Sequence, residues 1–189
     1  MIVDKTHINK LRESLHKYAL VRREVIRETG DALHHAKRAI FSLHRADQPE
    51  AEMKLQSAEE IFKKLHTKYK NDAKIKDEGS YKAAVEEYVE AVLFYQFIIT
   101  GKIAEVKIFA IEPEVYLAGL CDVPGELYRY AIKAATNKDI KTVKKCSEAA
   151  SEIIGELIEF NLTSYLRGKF DQAKQAAQKL EYIVYETSF

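Results

Sequence analysis

Residues 4–45 read DKTHINKLRESLHKYALVRREVIRETGDALHHAKRAIFSLHR. Ile8, Leu11, Leu15, Tyr18, Arg22, Val25, Thr29, Ala32, Ala36, Ala39 and Leu43 follow one another at alternating steps of three and four. That spacing lines one face of an α-helix. Gly30 could break the helix, with Asp31 as a new N-cap. The stripe passes through without a change of phase, however, and predicts one helix from about residue 4 to 45. Such a helix would span about 60 Å. That is long for a small bundle and implies an elongated molecule that packs against other subunits. The alanines at 32, 36 and 39 would let a neighbouring helix approach closely.

The remaining chain gives further helical segments. Asp47 and Pro49 open a second helix, over about 49–71. KNDAKIKDEGS reads as a polar turn, and a third helix follows over about 78–100 and stops at Gly101. Residues 101–112 form an irregular connection, in which EVKIFAI (105–111) is the one short β-like run. Pro113 suits the first turn of a fourth helix. Asp122-Val-Pro124-Gly125 should interrupt it, and a fifth should run to about 136. A sixth is expected over about 139–165, and Gly168 should separate a last one, about 168–186. The fold expected is all-α: an elongated bundle of six to seven helices, one domain over 1–189.

Composition agrees. Seven glycines and three prolines in 189 residues are too few turn formers for a β-sandwich or barrel, and a 47% hydrophobic content is enough to build a core. No apolar run approaches the ~18 residues of a membrane span, and MIVDKTHINK has no signal-peptide pattern. Cys121 and Cys146 match no zinc spacing and no disulfide scaffold, so they read as small core residues, and a cytoplasmic location is the default.

Thirty Lys/Arg against 29 Asp/Glu give a net charge of +1, which argues against a nucleic-acid partner until its distribution is read. Residues 1–45 hold ten Lys/Arg against five Asp/Glu, with five of the six histidines; the rest of the chain is mildly acidic. The basic segment is either a solvated helix face or an anion-binding one. Arg22, Arg23, Lys37 and Arg38 could track a nucleic-acid backbone. Arg22 falls on the stripe itself, so it either lines an interior surface or pairs with an acid.

Several chemistries are absent. There is no GxGxxG, no P-loop and no HExxH. A carboxylate-bridged di-iron bundle needs two Glu-x-x-His pairs. The sequence has one, Glu13-Ser-Leu-His16. What remains is acidic. Glu87 and Glu90 share a helix face, with Glu86 pointing elsewhere. Asp122 and Glu126 are four apart. Four carboxylates converging on one cleft would raise one another's pKa unless a hard cation such as Mg²⁺ or Mn²⁺ joined them. The alternative is ordinary: solvated glutamates, and Asp122 as a helix N-cap with Glu126 in the first turn. The apolar setting, AVLFYQFII after Glu90 and YLAGLC before Asp122, favours a buried role. Arg129 and Lys133 either clamp a phosphate or neutralise the acids.

At these residues the chain resembles the translin and translin-associated factor X family. AGLCDVPGELYRYAIKAATNKD (118–139) is similar to its Gly-x-x-Asp-x-x-Gly-Glu-Leu-x-Arg segment, EEYVEAVLFYQFIITGK (86–102) to its Glu-Tyr-Val-Glu-Ala stretch, and AKRAIFSLHR (36–45) to its basic Leu-His-Arg stretch. The resemblance covers nearly the whole chain. It implies a seven-helix subunit of a closed, octamer-like shell around nucleic acid. Retention of Glu87, Glu90, Asp122 and Glu126 is similar to the factor-X-like subtype. That implies a Mg²⁺- or Mn²⁺-dependent endoribonuclease, with these four as catalytic and metal-holding residues. By the same match Lys37, Arg38 and Arg129 fall at RNA-contacting positions. The alternative within the family is a translin-type protein that binds RNA or single-stranded DNA without cutting it. The short 101–112 connection resembles compact archaeal-type members, expected to form homo-oligomers.

Overall fold

The computed structural model describes residues 3–70 and 72–188. Its helices are α1 Lys5–His44, α2 Gln48–Lys68, the four-residue α3 Ala73–Lys76, α4 Gly79–Thr100, α5 Pro113–Thr136, α6 Ile140–Ile158 and α7 Ser164–Glu186. Among the described residues there is no strand, and no helix is long and apolar enough to cross a membrane. The molecule is all-α, as its patterning requires.

α1 runs unbroken through Gly30, and Asp4 caps it by accepting from the Thr6 and His7 amides. The stripe is buried over its C-terminal half, from Val25 through Thr29, Ala32, Ala36 and Ala39 to Leu43. There α1 packs on α2 and α4. Its N-terminal half projects past the bundle, leaving Ile8, Leu11, Leu15 and Leu20 exposed. α5 packs on α6 and α7, and α4 against α5 joins the two sets of helices.

Three boundaries differ from expectation. α5 does not break at Pro124, which lies buried inside one 24-residue helix. Proline costs a helix an N–H and crowds the preceding turn. Here the buried face of Ala118, Cys121, Leu127 and Ala131 continues on both sides, and its packing outweighs that cost. Asp122 is therefore mid-helix and not an N-cap. Gly168 lies within α7, which begins at Ser164, and α6 stops at Ile158. Residues 161–163 lie in the connection between α6 and α7. The polar turn before α4 contains the short α3.

Gly119 fixes the seam between α4 and α5. A Cβ there would lie 2.6 Å from the Glu86 carbonyl oxygen and 2.9 Å from Val89 Cβ. Gly119→Ala is expected to cost about 2 kcal/mol through this overpacking, and so to lower Tm by roughly 4–8 °C. Gly155 on α6 faces open space. Gly155→Ala should raise Tm through helix propensity. Equal shifts for the two in a thermal melt would remove the seam contact as the cause.

Candidate functional site

The α4–α5 seam brings acids of both helices together. Glu86, Glu87 and Glu90 lie on α4, within one turn. Asp122 and Glu126 lie one turn apart on α5, just past the Gly119 contact. α1 supplies Lys37 and His44, and α7 supplies Tyr165 and Lys169. The acids, Lys37 and Lys169 come from helix interiors, while His44 is the last residue of α1 and Tyr165 the second of α7.

Most of the carboxylates are held by protein groups. Lys37 Nζ approaches Glu87 at 3.7 Å. Arg129 donates to both oxygens of Glu126 at 3.0 Å, and His44 Nε2 also donates to Glu126. The His44 ring packs on Phe94 at 5.1 Å, and Lys133 reaches the His44 carbonyl at 2.6 Å. Lys133 therefore anchors the end of α1 and neutralises no acid here. Lys169 donates to Asp122 and lies 2.6 Å from Glu86. The Tyr165 hydroxyl donates to Glu86 at 2.9 Å.

Glu90 is different. It is 8% exposed, and among the described residues no hydrogen bond reaches its carboxyl. Burial, with Asp122, Glu87 and Glu126 as like charges, pushes it up to about 9. Burial also raises Glu87, against the pull of Lys37, and raises Asp122, against that of Lys169. Glu126 moves the other way: burial would raise it, but His44 and Arg129 outweigh that and hold it low. The site therefore combines acids that resist ionisation with one that is fixed as an anion.

The four acids named from sequence thus share one seam and feel one another's charge. They do not converge as ready ligands. Among the described residues no three His, Cys, Asp or Glu side chains are arranged to hold a metal ion. Lys37, Lys169, Arg129 and His44 pair with Glu87, Asp122 and Glu126. The donor chemistry still fits a hard divalent cation. It is oxygen-rich, and it includes Glu90, a residue 8% exposed.

The basic residues divide. Lys37 and Arg129 are more than half exposed beside the acids. Arg38 is exposed one residue from Lys37 on α1, and Arg23 is exposed farther back. Arg22 pairs with Glu78 at 3.0 Å, at the start of α4. Arg22 and Arg23 sit about 22 Å along α1 from Lys37, by helix rise. They do not reach the acids. Glu86, expected to point elsewhere, joins the site through Lys169. Nothing in the local sequence singles out Lys169, Tyr165 or Glu86. His44 lies in the AKRAIFSLHR stretch, where it was legible as a motif residue. Cys121 and Cys146 are buried, and burial pushes their thiols up to about 11 and about 12, as inert core groups require.

Residues 21–189 match the family described as Translin family. An uncharacterized protein of Methanocaldococcus jannaschii is 26% identical over 184 residues, covering 95% of this chain and 82% of that one. The crystal structure of apo-NeC3PO superposes with a TM-score of 0.86 at 21% identity, covering 99% of each chain. A complex of AfC3PO with duplex RNA superposes with a TM-score of 0.84 at 24% identity, covering 96% of each chain.

Proposed function

The chain belongs to the translin family, and from that premise we propose that it is a metal-dependent endoribonuclease of the factor-X-like subtype. The observation that carries this is the buried, unbonded Glu90 among Glu87, Asp122 and Glu126, with exposed Lys37 and Arg129 at the rim. Glu87, Glu90, Asp122 and Glu126 would hold Mg²⁺ or Mn²⁺. The metal, when bound, would activate water and offset the charge that develops on the phosphate oxygens. Arg129 and His44 keep Glu126 ionised and oriented in advance of any metal. Glu90 would give up its proton as the cation arrives. Lys37, Arg38 and Arg129 would hold the RNA backbone beside the acids. The structural relative in complex with duplex RNA supports RNA, single- or double-stranded, as the substrate class. The exposed apolar stripe of α1, Ile8, Leu11 and Leu15, supports assembly of copies into a closed, octamer-like shell.

Phosphate contacts have a measurable signature. The Lys37→Ala, Arg38→Ala double variant is expected to weaken RNA binding and to reduce the slope of log K against log salt by about 2. An unchanged slope in a fluorescence titration would remove these residues from the backbone contact.

One observation favours a second reading, a non-catalytic binder of RNA or single-stranded DNA. Lys169 already holds Asp122 with a protein cation. A cleavage assay on single- and double-stranded RNA with and without Mn²⁺ separates the two. Mn²⁺-dependent cleavage supports the nuclease; salt-sensitive binding with no cleavage supports the binder.

A further inference from the structure

Lys169 is the one cation at the site that comes from α7 and is enclosed. Its side chain is 14% exposed, while Lys37 and Arg129 are more than half exposed. Its ammonium bridges two acids from two helices, Asp122 on α5 and Glu86 on α4. A divalent cation approaching Asp122 would meet this ammonium at close range, where like charges repel strongly in a shielded site. Lys169 occupies Oδ2 of Asp122, so a cation that takes that oxygen has to displace the ammonium.

The surroundings give the lysine somewhere to stay. Glu86 is fixed by the Tyr165 hydroxyl, which lies 2.9 and 3.2 Å from its two oxygens. The Lys169 ammonium also sits 5.4 Å from the centre of the Tyr165 ring, within cation–π range. If it released Asp122 it would keep Glu86 and the ring face. The displacement would thus cost one of two ion pairs, and would not strand a buried charge.

We propose that Lys169 is a positioning residue, the resident cation of the acidic centre. It holds Asp122 until a divalent metal displaces it, and Glu86 with Tyr165 is its resting place afterwards. This rests on the metal-dependent reading above. It gives the site a built-in competitor, so that metal affinity is set by a residue that is not itself a ligand. It also gives Glu86 a function distinct from that of the neighbouring acids.

Titration of Mn²⁺ into the full chain by calorimetry, without RNA, tests this. Lys169→Met is expected to bind Mn²⁺ at least about tenfold more tightly than the wild type, because the competing charge is gone. Lys169→Gln should behave alike while keeping a polar group in the site, and covers the case in which the methionine variant does not fold. Lys169→Arg should stay near wild type. Glu86→Gln should weaken Mn²⁺ binding in the wild-type background, since the ammonium then holds Asp122 alone. In the Lys169→Met background that weakening should shrink, which a purely local loss of negative charge would not do. Unchanged or weaker Mn²⁺ binding in both neutral variants, beside measurable wild-type binding, overturns the proposal and leaves the metal reading intact. No Mn²⁺ binding by wild type or variants overturns both.

Discussion

Asp122→Asn is expected to lower Mn²⁺-dependent RNA cleavage by on the order of 10³-fold, while RNA affinity stays within about twofold. The substitution keeps the shape of the side chain and removes its charge. Asp122 sits in the interior of α5, behind Cys121 and before the buried Val123 and Pro124, so the backbone there is fixed by packing. Lys169 retains Glu86 as a partner and is not left as a bare buried charge. What is lost is an anionic oxygen at the seam. The cations proposed to hold RNA, Lys37, Arg38 and Arg129, are untouched. Single-turnover cleavage and anisotropy binding, the latter in chelator, give the two numbers. Cleavage by the variant at the wild-type rate would take Asp122 out of the chemistry. Parallel loss of cleavage and binding would mean that Asp122 acts on RNA and not on the metal.

Glu90→Gln is expected to stabilise the metal-free protein by about 3 kcal/mol at pH 7. The direction follows from the raised folded value, about 9, against the ordinary 4.5. In the folded chain the buried carboxyl keeps its proton at neutral pH; in the unfolded chain it has lost it. The stability held by the protonated form is complete below about 4.5 and drains away as pH rises towards 9. Wild-type Tm should therefore fall across that window. Glutamine fills the same space without titrating, so the variant should lack this part of the slope and melt roughly 10 °C higher at neutral pH. Parallel melting curves between pH 5 and 9 would show that Glu90 is not held neutral. The same substitution should weaken Mn²⁺ binding. A residue whose replacement by a group that does not titrate stabilises the fold and weakens cation binding serves the cation.

The legible parts of the fold were those written in local periodicity. The α1 stripe was legible as one helix face, with the alanines at 32, 36 and 39 as room for a close neighbour, but the start of its burial at Val25 was not. The acids of α4 and α5 stood out because each lies in an otherwise apolar run. The errors lie where tertiary packing overrides a local signal. Pro124 and Gly168 are ordinary helix breakers, yet both sit in helices whose apolar faces run past them. Glu86 was set aside because its spacing takes it off the Glu87–Glu90 face. The seam has a second side, supplied by α7, which no spacing on α4 reveals. Lys169 lies 47 residues from Asp122 in sequence, in a helix whose charges otherwise look solvated. Charge pairing across that separation is created by the fold and has no one-dimensional signature.

The missing methyl group at Gly119 has a consequence for how such a site can be inherited. The distance between the α4 and α5 acids is set at a position that carries no functional group, by a backbone carbonyl against a bare Cα. A chain of this architecture with a bulkier residue there could keep every carboxylate and still hold them too far apart to act together. The glycine is therefore the position to inspect first when asking whether a descendant can still bring these acids together, and a change elsewhere in the site would not restore what its loss removes.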